Sequence, residues 1–86
     1  MEILYSDRFK KDYKHLSKNI RKIIQDKLRI LSNDPFHPSL RTKKIKGKED
    51  IFESSINMSI RITWSYIDSR ILLRAIGEHD KTIKNP

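Results

Sequence analysis

The chain contains no cysteine, which removes disulfide bonds and thiolate metal sites from consideration. Two glycines and three prolines in 86 residues leave no linker, repeat or low-complexity stretch. No apolar run approaches the roughly 18 residues that a membrane-spanning helix needs. The opening Met1-Glu2-Ile3-Leu4-Tyr5 carries an acid and starts a strand-like run, so it does not read as a signal peptide. A cytoplasmic location is the expectation. The three histidines lack metal-ligand spacing such as H-x-x-x-H, and neither a metal nor a cofactor is expected.

What is present is positive charge, unevenly placed. From Arg8 to Lys48 there are 14 Lys/Arg against only Asp12, Asp26 and Asp34, whereas residues 49–86 carry 5 Lys/Arg against 6 acids. Clustered cations gain free energy by releasing the counterions of a polyanion, so an anionic partner, RNA above all, is favoured over a merely solvated lysine surface. A chain this short is one domain, residues 1–86, with a compact core.

Glu2 to Ser6 reads as a short strand. Ser6 or Asp7 caps a first helix with Phe9, Tyr13 and Leu16 on one face, and a break at Ser17 to Asn19 follows. Ile20, Ile23, Ile24, Leu28 and Leu31 then give a helical apolar stripe to about Ser32, with Lys18, Arg21, Lys22, Lys27 and Arg29 largely beside or opposite it. Two prolines at 35 and 38 end the helical part. Beyond them the period becomes two. Strands are predicted at Leu40–Ile45, Ile51–Ile56, Ile60–Tyr66 and Arg70–Ile76, with a hairpin turn at Asp68-Ser69. The predicted fold is α+β: a β-α-α hairpin unit followed by an antiparallel meander, the helices packed on one face of a small twisted sheet. Ile60, Ile62, Trp64 and Tyr66 face the helices, and Arg61, Thr63 and Ser65 an open face.

Cleavage of RNA without a metal needs a base for the 2′-hydroxyl proton, cations for the phosphorane charge and an acid for the departing 5′-oxygen. Arg61 suits the phosphate, His79 the acid–base step and Glu53 the base. Arg41, Lys43, Lys44, Lys46 and Lys48 supply a basic run, and the meander is expected to gather all of these at one rim of the open face. Each residue also has a structural reading: Arg61 and Glu53 as an ion pair, His79 as an exposed side chain. His15 and His37 read as surface residues, and Trp64 as core in preference to a base-stacking platform.

Several segments together resemble the RelE/ParE superfamily of toxins. Leu40-Arg41-Thr42-Lys43-Lys44-Ile45-Lys46-Gly47 is similar to its L-x-x-K-x-L-x-G strand, and Ile51-Phe52-Glu53 to the strand that follows. Ile60-Arg61-Ile62-Thr63-Trp64, the closing Leu73-Arg74-Ala75-Ile76-Gly77-Glu78-His79-Asp80 and the helix start Phe9-Lys10-Lys11-Asp12-Tyr13 complete the pattern. The resemblance implies a cognate acidic antitoxin and, in the RelE branch, cleavage of mRNA in the A site of the 70S ribosome. It assigns Arg61 to the scissile phosphate, His79 to the basic position after the last strand, and the lysine run to RNA contact. Arg74 enters the set of RNA-binding residues with a qualification: relatives carry a functional arginine at the position of Ala75, and only a bulge would restore it. The chain also lacks lysines along Phe52–Ile56. Two other readings stay open, a ParE-like inhibitor of DNA gyrase without catalysis and a degenerate toxin that only binds its antitoxin.

Overall fold

The computed structural model describes all 86 residues. Strand β1 (Ile3–Tyr5) leads into helix α1 (Asp7–Lys14), and helix α2 (Lys18–Asn33) follows after a three-residue break. Serines start both helices: the Ser6 hydroxyl accepts from the Phe9 amide and the Ser17 hydroxyl from the Ile20 amide, each satisfying an amide with no partner inside the helix. A single 3₁₀ turn (Pro38–Leu40) precedes the remaining strands, β2 (Lys43–Lys44), β3 (Phe52–Ser55), β4 (Ile60–Ile67) and β5 (Arg70–Glu78). Helix α3 (His79–Lys84) closes the chain. The architecture is α+β, with the order β1-β5-β4-β3-β2 in one mixed sheet. Only β1 runs parallel to its neighbour, β5; the others form the antiparallel meander.

The helical stripe and the alternating strands meet in one core. Phe9, Ile24, Leu28 and Leu31 from the helices pack with Phe52, Ile62, Trp64, Ile71, Leu73 and Ile76 from the sheet. Trp64 is fully buried, stacks on Phe52 at 4.6 Å and donates through Nε1 to the Ser54 hydroxyl at 2.9 Å. It is a core residue. Tyr66, expected in the same layer, meets the Phe52 and Trp64 rings edge-on but is 43% exposed.

Three expectations are corrected. The strand expected over Leu40–Ile45 shrinks to Lys43–Lys44, because Pro38 starts a 3₁₀ turn and Arg41 leaves it in the left-handed region (φ 49°). The last predicted strand runs on to Glu78, and a helix that the sequence pattern did not suggest begins at His79. The second sheet face is not open throughout, since the Thr63 hydroxyl and Arg74 Nε both donate to the Pro86 backbone oxygen, at 2.9 and 3.0 Å. Thr63 is consequently buried.

The bulge that the Arg74 parity called for is present. Thr63 pairs with Ala75 but Trp64 with Leu73, which leaves Arg74 as the extra residue. Its carbonyl accepts from the Ser6 hydroxyl at 2.9 Å, so the cap of α1 also satisfies the bulge. The Asp68-Ser69 hairpin has positive φ at both residues (48° and 65°), the two-residue geometry that matches strand twist.

Candidate functional site

The register across β2, β3 and β4 builds one face of the sheet from the predicted residues. Lys43 lies opposite Glu53, Glu53 opposite Thr63, and Ser55 opposite Arg61. Alternation puts all of these side chains on the face away from the helical hairpin. Glu53 and Arg61 are diagonal neighbours across β3 and β4, a relation that in sheets spans roughly 7–8 Å and lies within reach of a long side chain. Arg41, two residues before Lys43, lines the same cavity as Ser55 and Arg61.

Glu53 has an unusual environment for a carboxylate. It is 3% exposed, and one oxygen meets Lys43 Nζ at 3.4 Å. The other, Oε2, is buried and receives no protein donor. The expected Arg61–Glu53 ion pair does not form; the direct register with β2 gives Glu53 to Lys43 instead. Arg61 turns toward the β3–β4 turn, where Nη1 donates to the carbonyls of Asn57 and Ile60, at 2.6 and 3.2 Å. Its Nε and Nη2 have no protein acceptor and remain free for a phosphate, which a planar guanidinium matches.

His79 stands at the same end of the sheet. Its amide donates to the Ser59 carbonyl, one residue beyond the Ile60–Glu78 pair, and its ring Nδ1 is buried without a partner. Gly77, opposite Arg61, keeps this end narrow: a Cβ there would approach the Thr82 hydroxyl oxygen to 3.2 Å.

The predicted site does not all converge at one rim. Lys44 points to the other face, its Nζ 6.0 Å from the centre of the Phe52 ring. Lys46 and Lys48 sit in the exposed β2–β3 turn, at the Phe52–Trp64 end of the sheet. That end is about 10 Å of strand from Arg61. Arg74, in the bulge, faces the C-terminal tail. The register therefore groups Lys43, Glu53 and Arg61, with Arg41 beside Arg61. His79 lies two residues past Gly77, the partner of Arg61, and level with Ser59, farther along the sheet from Glu53. Lys46 and Lys48 extend the positive surface. One cation beside the group escaped the strand pattern: Lys27 of α2, which lines the cavity shared with Arg41 and Arg61.

Charge reinforces the picture. Of nineteen Lys/Arg, only Arg29, Lys43 and Arg70 meet an Asp or Glu carboxylate within 4 Å. No cluster of histidines and carboxylates suited to a metal ion occurs, and no helix is long and apolar enough to cross a membrane.

Neither a family model nor a curated protein matches the sequence. The fold, by contrast, has close counterparts. The YoeB toxin dimer of Staphylococcus aureus superposes with a TM-score of 0.78 over 92% of this chain and 97% of its own, at 20% identity. A YoeB/ParE toxin from Agrobacterium tumefaciens gives 0.76 over 92% of this chain and 99% of its own, at 18% identity. The archaeal RelE of the RelE–RelB complex from Pyrococcus horikoshii gives 0.75 over 90% and 92%, at 16% identity. The chain thus has the fold of the RelE/YoeB/ParE toxins of type II toxin–antitoxin systems. The S. aureus and P. horikoshii proteins have been crystallised with the antitoxins YefM and RelB respectively.

Proposed function

We propose that this chain is the toxin of a type II toxin–antitoxin pair and that it cleaves mRNA on the ribosome in the cytoplasm, without a metal or cofactor. The observation that carries this reading is the buried Glu53 carboxylate, whose Oε2 has no protein donor on the sheet face it shares with Arg61. Buried polar atoms in native proteins are nearly always paired, and exceptions concentrate where a group has chemical work. A purely binding surface has no use for a concealed carboxylate among phosphate-directed cations. That favours a nuclease over a gyrase inhibitor, a choice the fold leaves open.

In the proposed reaction Glu53 accepts the proton of the 2′-hydroxyl, and the 2′-oxygen attacks phosphorus. Arg61 neutralises the charge that gathers on the phosphoryl oxygens. The bond from phosphorus to the 5′-oxygen breaks, and His79 supplies the proton that the leaving oxygen takes. The products are a 2′,3′-cyclic phosphate and a 5′-hydroxyl. Arg41 and Lys43 hold the strand at the site, while Lys46 and Lys48 add attraction over a longer range. The cognate partner is an antitoxin with acidic residues for this surface.

The test is incubation of the purified chain with ribosomes carrying a defined mRNA, followed by mapping of the cut ends. Cleavage in the A-site codon, 2′,3′-cyclic phosphate termini and loss of both in Arg61→Ala are expected. Intact RNA together with blocked supercoiling by DNA gyrase would instead identify a ParE-like inhibitor. Intact RNA with binding to an antitoxin alone would mark a degenerate toxin.

A further inference from the structure

A cavity of about 210 Å³ opens at the Arg61 end of the sheet, between α2, the 3₁₀ turn and the β3–β4 turn. Lys27, Arg41 and Arg61 enter it from three separate elements, and Ser39, Ser55 and Asn57 complete its polar wall. None of the three cations meets a carboxylate. Lys27 Nζ touches only the Ser39 carbonyl, at 3.4 Å. The Asn57 side-chain oxygen already accepts from the amides of Ser59 and Ile60, at 2.9 and 2.8 Å, which leaves its NH₂ group as a donor with no protein acceptor. The free donors are therefore an ammonium, one whole guanidinium and part of another, a hydroxyl and an amide. That set is suited to an oxyanion, and the planar guanidiniums match the oxygens of a phosphodiester.

Backbone geometry adds an independent observation. Arg41 sits at φ 49° and ψ 43°, a conformation that glycine adopts without strain and arginine does not. The chain carries a long cation at a position where a small residue would be less strained, and that cation lines this cavity.

We infer that this cavity is a second phosphate-binding site, which holds the backbone phosphate next to the one that reacts, in a single-stranded RNA. The identity of the ligand as RNA rests on the proposed function; the affinity of the cavity for a phosphodiester does not. Arg61 borders both sites, with Glu53 diagonal to it on one side and Lys27 with Arg41 on the other. Two adjacent phosphates straddling one guanidinium fix where the strand lies and thus which bond meets Glu53. Lys27 acts here as a positioning residue.

The experiment measures binding apart from cleavage, by fluorescence polarisation of a labelled 2′-O-methyl hexauridylate that cannot be cut. Wild type, Lys27→Gln, Lys27→Arg and Lys22→Gln are compared across a salt series; Lys22 is exposed on α2 and lies outside the cavity. Loss of one phosphate contact on a single strand lowers the slope of log K against log salt by about 0.7. Lys27→Gln should show that reduced slope with about fivefold weaker binding at low salt, Lys27→Arg the wild-type slope, and Lys22→Gln a change below about twofold. A displaced cut site in Lys27→Gln on the ribosome would add support. Equal slopes for wild type and Lys27→Gln, or an equal loss in Lys22→Gln, would overturn the inference. If RNA is bound as described but never cut, the second phosphate site stands and the nuclease reading fails.

Discussion

Replacing Glu53 by glutamine separates the chemical from the structural role of this residue, because the side chain keeps its size and loses only its charge. Two opposing terms set the stability change. The ion pair with Lys43 disappears, but Lys43 is 66% exposed, which limits that loss to about 0.2–1 kcal/mol. Against it, an ionised oxygen with no donor no longer has to be buried, and leaving such a group unpaired costs about 1–3 kcal/mol. Glutamine recovers part of that and buries an amide in its place. The net change should lie within about 1 kcal/mol, or roughly 4–8 °C in melting temperature for a domain of this size. Cleavage on the ribosome should fall by about 10²–10⁴, the usual contribution of a positioned base. Lys43→Ala provides the contrast: it strands a buried charge and should destabilise more than Glu53→Gln, while the double variant recovers most of the difference. The measurements are calorimetric melting and single-turnover cleavage of ribosome-bound mRNA. A folded Glu53→Gln protein that cuts within tenfold of wild type would refute the role of Glu53 as base. An unfolded one would show that the carboxylate serves the fold.

Trp64→Ala should cost about 3–5 kcal/mol, a large share of a stability near 0.05–0.15 kcal/mol per residue, seen as a lower urea midpoint. An unchanged midpoint with lost RNA binding would assign Trp64 to the ligand. Ser69→Gly should stabilise by up to about 1 kcal/mol, since glycine adopts φ 65° without strain; a lower melting temperature would contradict the hairpin geometry. Thr63→Val removes one of two tethers to the Pro86 oxygen at a cost of about 0.5–1.5 kcal/mol and should raise cleavage by exposing the face that includes Glu53. Unchanged or slower turnover would show that the tail is no barrier. The association rate of the antitoxin should fall steeply as salt rises, because complementary charge acts mainly on encounter; a surface plasmon resonance series with a constant rate would count against an acidic docking segment.

The helices and the meander were legible because their periods differ and each persists long enough to register. The 16 residues of α2 sustain an apolar stripe, and β4 alternates through Ile60, Ile62 and Trp64. Failures fell where tertiary structure overrides a short pattern. Leu40 and Ile45 are both buried although, five residues apart, they would face opposite sides of an unbroken strand; the 3₁₀ turn and the left-handed Arg41 bury Leu40 by another path. The six residues of α3 are too few to display a helical period after a strand. At the site, residue types were legible and partnerships were not. Glu53 chose between two cations by register, and the register belongs to a β2 of two residues. Lys27 had no visible connection to Arg61, since only the packing of α2 beside the β3–β4 turn joins them. The Arg74 bulge announced itself only as a conflict of parity, resolved once Ser6 is seen to satisfy its carbonyl.

The tail marks the donors that an anionic partner would have to claim on this face. Thr63 Oγ1 and Arg74 Nε converge on a single oxygen of Pro86, an arrangement equally fit for an oxygen of phosphate or carboxylate. Thr63 is also the cross-strand partner of Glu53, so whatever occupies these two donors lies next to the concealed carboxylate. Arg74 is charged, so the bond it donates is of the charge-assisted kind that phosphate and carboxylate oxygens accept well. On the proposed function, the phosphates of RNA and the carboxylates of an acidic antitoxin would compete for these same donors. Under that proposal an acidic antitoxin would inhibit by direct exclusion, since occupying Thr63 and Arg74 would keep phosphate away from Glu53, the cross-strand partner of Thr63.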